Sequence, residues 1–243
     1  MPAILALAAF AVLVSLGNWQ VRRLAWKEDL IARASVRPNG PVQTLPSASE
    51  WAGFDVAAGE YRPFRLTGHF LNDREALVFT SLPDPQGAFG GPGFWVVTPF
   101  ALSEGGTVFV NRGFAPQGRQ LPKDRAESRS DGPTEVVGLM RPSETRGAFT
   151  PADRADENVF YARNVSDLAA AKEISQPVAP FTVDLIASET PPGGLPQAGE
   201  TRMAFTNNHL QYAITWYGLA AALLAVFAVY VRGLSRERDK KPA

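Results

Sequence analysis

No cysteine occurs in the 243 residues, and only two histidines and three methionines do. Without thiols the chain forms no disulfide and no thiolate metal site, and it has no thiol redox chemistry. The scarcity of sulfur also argues against delivery of Cu(I), which prefers soft ligands. An excess of charge of either sign is missing as well. Lys+Arg and Asp+Glu number 24 each, so the chain carries no basic footprint for nucleic acid. Compact catalytic signatures are absent too: there is no nucleophile elbow, no P-loop and no HExxH run. A serine hydrolase would need a histidine base, and His69 and His209 are the whole supply. The carboxylates Glu75, Asp84, Glu104 and Asp124 fall in predicted loops or strand ends and define no acid–base pair.

What is present is an apolar run at each end of a polar middle. PAILALAAFAVLVSLG, residues 2–17, makes about 24 Å of helix against a hydrocarbon core of roughly 30 Å. Asn18, Trp19 and Gln20 bring it near spanning length, with Trp19 as an interfacial anchor. A cleaved signal peptide is the rival reading, but no basic residue precedes the run and no small-x-small site follows it. Instead Trp19, Arg23, Trp26 and Leu30 keep helical spacing, so the helix is expected to continue past the membrane surface. The second run, Leu210 to Val231, spans without help. Its tail, RGLSRERDKK, places that end on the cytoplasmic side and, with two spans, the domain between them outside. Arg22, Arg23 and Lys27 oppose this weakly, because long segments translocate largely regardless of charge. The expected divisions are a first membrane helix over 1–20, an external β-rich domain over 21–205, a second membrane helix over 206–232 and a basic tail over 233–243.

Between the anchors the pattern alternates. Segments 64–71, 75–82, 93–102, 107–116, 134–140, 158–165 and 181–187 read as strands, rich in β-branched and aromatic residues and bounded by turn formers. Short connections imply mostly antiparallel pairing, with hairpins at LNDRE (71–75) and SEGG (103–106). One helix is expected over 165–174, capped by Ser166. The Pro-, Gly- and Ser-rich stretches 35–51, 83–93 and 187–202 read as loops. The predicted fold is therefore a membrane protein of α+β class: two transmembrane helices flanking a mainly antiparallel, partly closed, barrel-like sheet with a few helices.

Candidate side chains are few. His69 sits at an alternating strand position, where a half-exposed packing role is the plain expectation. In NRGFAP (111–116), Gly113 supplies a backbone conformation other residues dislike. Arg112 is there either the end of a departing strand or an exposed cation for a carboxylate. Gly68 and Gly138 fit a bulge or close packing. His209 differs by position. Asn207 and Asn208 can cap the second helix, which puts the imidazole in its first turn at the outer interface. It either hydrogen-bonds water and headgroups or serves as an axial ligand for haem iron. His209, Tyr212, Thr215/Trp216 and Leu219 then form a stripe that either packs on the other helix or walls a cofactor.

LGNWQVRRLAWKEDLI at the first anchor, VNRGFAP in the centre and NNHLQYAITWYGLA at the second anchor together resemble the surfeit locus protein 1 family. The resemblance implies a membrane-bound, non-enzymatic assembly factor for haem-copper terminal oxidases. Its partners would be cytochrome c oxidase subunit I, haem a synthase and the lipid bilayer. It would sit in a bacterial inner membrane with its large domain periplasmic, or equivalently in the mitochondrial inner membrane facing the intermembrane space. The resemblance also implies that haem a is handled at His209, as axial ligand to the iron. Trp19 and Gln20 match the family's first-helix motif, and Tyr212 and Trp216 its second; Arg112 and Gly113 fall in its central motif. An amphipathic cargo needs an apolar wall and cations for its propionates, which points to Trp19, Tyr212 and Trp216 for the wall and Arg22 and Arg23 for the propionates. The alternatives are a scaffold that clamps subunit I or the synthase without touching haem, a copper donor, and an exported hydrolase or sensor.

Overall fold

The computed structural model of the chain describes residues 2–201 and 207–239. The boundary expected at 205/206 and residues 240–243 of the expected tail lie outside the described residues. Two long helices, α1 (Pro2–Val36) and α4 (His209–Asp239), form one compact unit, and the intervening segment forms another. Their apolar stretches, Pro2–Asp29 and His209–Gly233, are long enough to cross a membrane. Only 11% and 6% of their most apolar windows are buried by protein, so neither is the core helix of a soluble fold.

The second unit is built on an eight-stranded sheet. In chain order its elements are β1 (Gln43–Thr44), α2 (Val56–Gly59), β2 (Pro63–Phe70), β3 (Ala76–Leu82), β4 (Gly91–Leu102) and β5 (Thr107–Pro116). There follow β6 (Thr134–Pro142), β7 (Val159–Phe160), α3 (Val165–Ala171) and β8 (Val178–Leu185). The order β2-β6-β8-β5-β4 closes on itself, because β2 also pairs with β4. The result is a closed five-stranded ring, with β3 and β7 extending from β4 and β1 from β2. Closure removes the exposed edges that an open sheet would present. Pairing is antiparallel around the ring except at β5–β8.

Alternation explains the inside of the ring. Phe64, Leu66 and Phe70 of β2 meet Phe100 of β4, Val108 and Val110 of β5, Val136 and Met140 of β6, and Phe181 and Val183 of β8. The out-pointing residues of β4 and β5 are covered as well. Val97 and Phe109 pack under α3 with Phe160, Val165 and Leu168. Burial on both faces is why TVFVNRGFAP, buried from Thr107 to Ala115, lacks the strict polar–apolar alternation of a strand with one wet face. At Gly68 the strand β2 leaves β6 for β4, and an added Cβ there would strike the Ala101 carbonyl.

Several expectations need correction. LNDRE is not a hairpin: β2 and β3 do not pair, and Asn72–Arg74 is a 3-10 turn that carries the chain along one edge of β4, from residues 100–102, which pair with β2, to residues 91–97, which pair with β3. SEGG is one, with Gly105 and Gly106 at positive φ. The strand expected over 158–165 shrinks to two residues, Val159 and Phe160, followed by a bend that leads into α3 at Val165, and the cap of α3 is Asn164 rather than Ser166. The Pro/Ser-rich stretch before β2 is anchored, for Trp51 is buried against Phe181 and donates its indole N–H to the Pro46 carbonyl at 2.9 Å.

Beyond the apolar core, one polar network ties β8 to the segments that follow β6 and precede α3. Arg163 donates to Asp184 Oδ1 at 2.6 Å and to Glu144 Oε1 at 2.6 Å, and Asn111 and Thr201 also donate to Asp184. Burial pushes the Glu144 carboxyl up, but the charge and hydrogen bonds of Arg163 outweigh it and hold it below 4.5. The folded value lies under the unfolded one, so this stabilisation is complete above the unfolded pKa and is lost as pH falls through the folded one. Denaturant midpoints should therefore be flat near neutrality and fall below pH 4.5, with a shallower fall in Glu144→Gln.

Candidate functional site

Among the half-buried and buried positions along α1, Ala6, Phe10, Leu13, Gly17, Gln20 and Leu24 form a regular series, with Val14 and Leu16 half-buried at its flanks. On α4 they recur as His209, Ala213, Trp216, Ala220, Leu223 and Phe227. Both series alternate steps of four and three, the 3.5-residue repeat of a left-handed pair. Ala6, Gly17, Ala213 and Ala220 are small, which lets two apolar helices approach by close packing where no hydrophobic effect helps. The helices run antiparallel: Gln20 meets His209, and Asn18 Oδ1 accepts from the Tyr217 hydroxyl at 2.7 Å.

His209 opens α4 as its sequence implies. Its backbone N–H donates to Asn207 Oδ1 at 3.4 Å, and the Asn208 carbonyl accepts from Tyr212 N–H at 3.2 Å. The side chain then turns to the seam, with Nδ1 2.7 Å from Gln20 Oε1. A carboxamide oxygen only accepts, so the ring proton belongs on Nδ1 and the lone pair on Nε2. Trp19 stands edge-on to the imidazole, with ring centroids 6.4 Å apart and planes at 87°. An imidazole fixed by an acceptor at one nitrogen, with the lone pair of the other left available, is the arrangement by which proteins orient a histidine metal ligand. The residues present therefore fit an axial ligand for haem iron.

The remaining predicted residues are distributed around this pair. Trp216 lies on the seam two turns from His209, while Tyr212 is on the outward face and 53% exposed. The stripe read at 209, 212, 215/216 and 219 is thus divided: His209 and Trp216 lie on the packed face with Ala213 and Ala220, while Tyr212, Thr215 and Leu219 are exposed. Arg22 is exposed, and the guanidinium of Arg23 lies 4.4 Å from the Trp26 ring. Gln20 is missing from the predicted ligand set and is its central addition. The available signal is a carboxamide in register with Gly17 at the end of an apolar run, a polar group that must find a partner at membrane depth. Among the described residues no three His, Asp or Glu side chains cluster as for a polydentate metal site.

In the sheet unit, His69 is exposed on β2, as its alternation implies. Arg112 is not the exposed cation that the sequence allowed. It is buried, its guanidinium donates to the Ser128 carbonyl and, at 3.1 Å, to Asn72 Oδ1, and it lies 4.4 Å from the Phe70 ring. Gly113 has φ +127°, where a strap at Gln197 crosses the strand.

Residues 7–221 match the SURF1 family. The chain is 35% identical over 231 residues to a SURF1-like protein of Monosiga brevicollis, covering 91% of this chain and 84% of that one. Against Surfeit locus protein 1 of Homo sapiens it is 35% identical over 230 residues, covering 90% and 74%. The corresponding protein of Takifugu rubripes is 34% identical over 223 residues, covering 87% and 89%. Gln20, His209 and the whole sheet fall inside the matched stretch, and the chain belongs to the SURF1 family.

Proposed function

We propose that this protein is a membrane-anchored assembly factor for a haem-copper terminal oxidase, cytochrome c oxidase, and that it holds haem a through His209 on its way into subunit I. The observation that supports this most directly is the 2.7 Å contact between His209 Nδ1 and Gln20 Oε1, which leaves Nε2 as a ready ligand. In this reading haem a is cargo, and the iron accepts one nitrogen ligand from the protein. A single protein ligand suits a site that must let go. Trp19 and Trp216 supply apolar surface, Tyr212 offers its ring from the outward face, and Arg22 and Arg23 are cations for the propionates. The basic residues that follow the second apolar run favour the cytoplasm for that end, and in this reading the sheet unit faces the periplasm of a bacterial inner membrane. Haem a synthase is the natural donor and subunit I the acceptor; the chain itself carries rather than catalyses.

The test is an optical spectrum of the detergent-purified chain from cells that make haem a. Wild type should carry a haem spectrum, His209→Ala should lose it, and Gln20→Leu should bind about 10- to 100-fold more weakly, as expected when a ligand loses its orienting partner. Equal pigment in His209→Ala defeats the proposal. A colourless wild type from cells whose oxidase assembles only when it is present would favour the non-binding scaffold.

A further inference from the structure

In the sheet unit, well separated in sequence from His209, a cavity of about 490 Å³ opens between the 3-10 turn at Asn72 and the segment 121–129. Arg112, Arg125, Lys172 and Glu75 line it, with Leu77 and Leu121 as apolar wall. Glu75 is committed to Arg125 in an ion pair that is almost fully buried. It acts on Arg112 and Lys172 only through space. The nearest acceptors of both are neutral: Asn72 and the Ser128 carbonyl for Arg112, Asn158 Oδ1 for Lys172. Three cations thus share one carboxylate, an interior excess of two positive charges. At the mouth, Arg129 faces Asp73 and Asp131, one positive charge against two negative ones, but both carboxylates are exposed and screened by water, so they offset the interior excess only weakly.

Burying cations without counter-charge is costly, and the cost shows in the groups themselves. Burial and the like charge of Arg125, against the pull of Glu75, lower the pKa of Arg112 to about 10. Burial likewise lowers that of Lys172. A purely structural arginine would be expected to sit beside a carboxylate, as Arg163 sits between Asp184 and Glu144. Arg112 has a cavity there instead. Its volume falls in the range of small-molecule sites, and its wall is part apolar, part donor.

We propose that this cavity binds a small organic anion whose carboxylate or phosphate group is received by Arg112 and Lys172. Guanidinium and ammonium donors together suit an oxyanion, and the apolar wall admits a short carbon skeleton. The site is independent of the haem reading and uses none of its residues.

Titration calorimetry on the full chain in detergent tests it, with inorganic phosphate and succinate as probes and sodium chloride at matched ionic strength as reference. Wild type should bind at least one probe saturably at one site. Arg112→Gln and Lys172→Met should each weaken that binding about tenfold, the loss of one charge-assisted contact. Lys172→Met removes a half-buried ammonium hydrogen-bonded to Asn158, so it reads the site even where Arg112→Gln fails to fold. Phosphate alone binding identifies a phosphate ester as the ligand; succinate alone identifies a carboxylate. Responses no larger than chloride for both probes, or wild-type affinity retained in Lys172→Met, overturn the proposal. His209→Ala should bind the probe as wild type does, so failure of the haem reading leaves this one untouched.

Discussion

Gly113→Val should leave no folded sheet unit, and Gly113→Ala should already be severely destabilised. The backbone at Gly113 has φ +127°, a conformation that residues with a Cβ adopt only under strain. Space compounds this, since an added Cβ would lie 2.6 Å from Ala198 N and closer still to the Gln197 carbonyl. Relief would require moving the strap, which the strand holds through two bonds. Phe114 N–H donates to the Gln197 carbonyl and Gln197 N–H to the Phe114 carbonyl, each at 2.8 Å. The strap in turn holds the 83–91 loop. Glu200 accepts from Gln86 and Gly87 N–H, and the Gln197 carboxamide clasps both the N–H and the carbonyl of Phe89. Strain of about 1–3 kcal/mol and lost hydrogen bonds of about 0.5–1.5 kcal/mol each already approach the roughly 5–15 kcal/mol by which domains are typically stable. Limited proteolysis in detergent checks this: the variant should be cut throughout residues 40–200 where wild type resists. Wild-type resistance in Gly113→Val would mean that the strap does not cross there.

Asp184→Ala should cost about 3–5 kcal/mol, the usual penalty for stranding one partner of a buried ion pair. Asp184 is buried and gathers Arg163, Asn111 and Thr201 on its two oxygens. Removing it leaves Arg163 with Glu144, whose carboxylate is the more exposed of the two. In the wild type burial works against the charge of Arg163, yet the two carboxylates outweigh it and raise its pKa; the variant removes one of them, and an arginine does not escape by losing its proton. The double variant Asp184→Leu with Arg163→Met should recover part of the loss, because a buried pair can be replaced by packed apolar groups at little net cost. Urea midpoints of wild type and both variants decide the matter. A midpoint for Asp184→Ala within experimental scatter of wild type would show that the network is ornamental.

The strands and the two apolar helices were legible because each is a local pattern. Alternation set the inward residues of β2, and length set α1 and α4. Ring closure was legible only as a tendency, since the pairing of Gly68 with Leu102 depends on strands far apart in sequence. LNDRE misled because its residues are equally good turn formers in a hairpin and in a 3-10 crossover. At the candidate site His209 could be read from position alone, and Trp19 and Trp216 from the shared motifs. The first-helix motif carries Gln20 as well, but not its contact with His209, which joins helices whose register no single segment encodes. For Arg112 the exposed alternative stayed open in the sequence for a related reason: a charged residue in a strand gives no sign of which elements will fold over it.

Gly17 has a mechanical consequence for the helix pair. The Tyr217 ring occupies the notch it leaves, so close that a would-be Cβ would be 2.7 Å from the ring's Cε1. Two smooth apolar cylinders could spin about their long axes, and a nitrogen mounted on one of them would then sweep through an arc. With a phenol lodged in that notch and tethered to Asn18, α4 keeps one azimuth, and the bearing of the imidazole is set eight residues away along the helix.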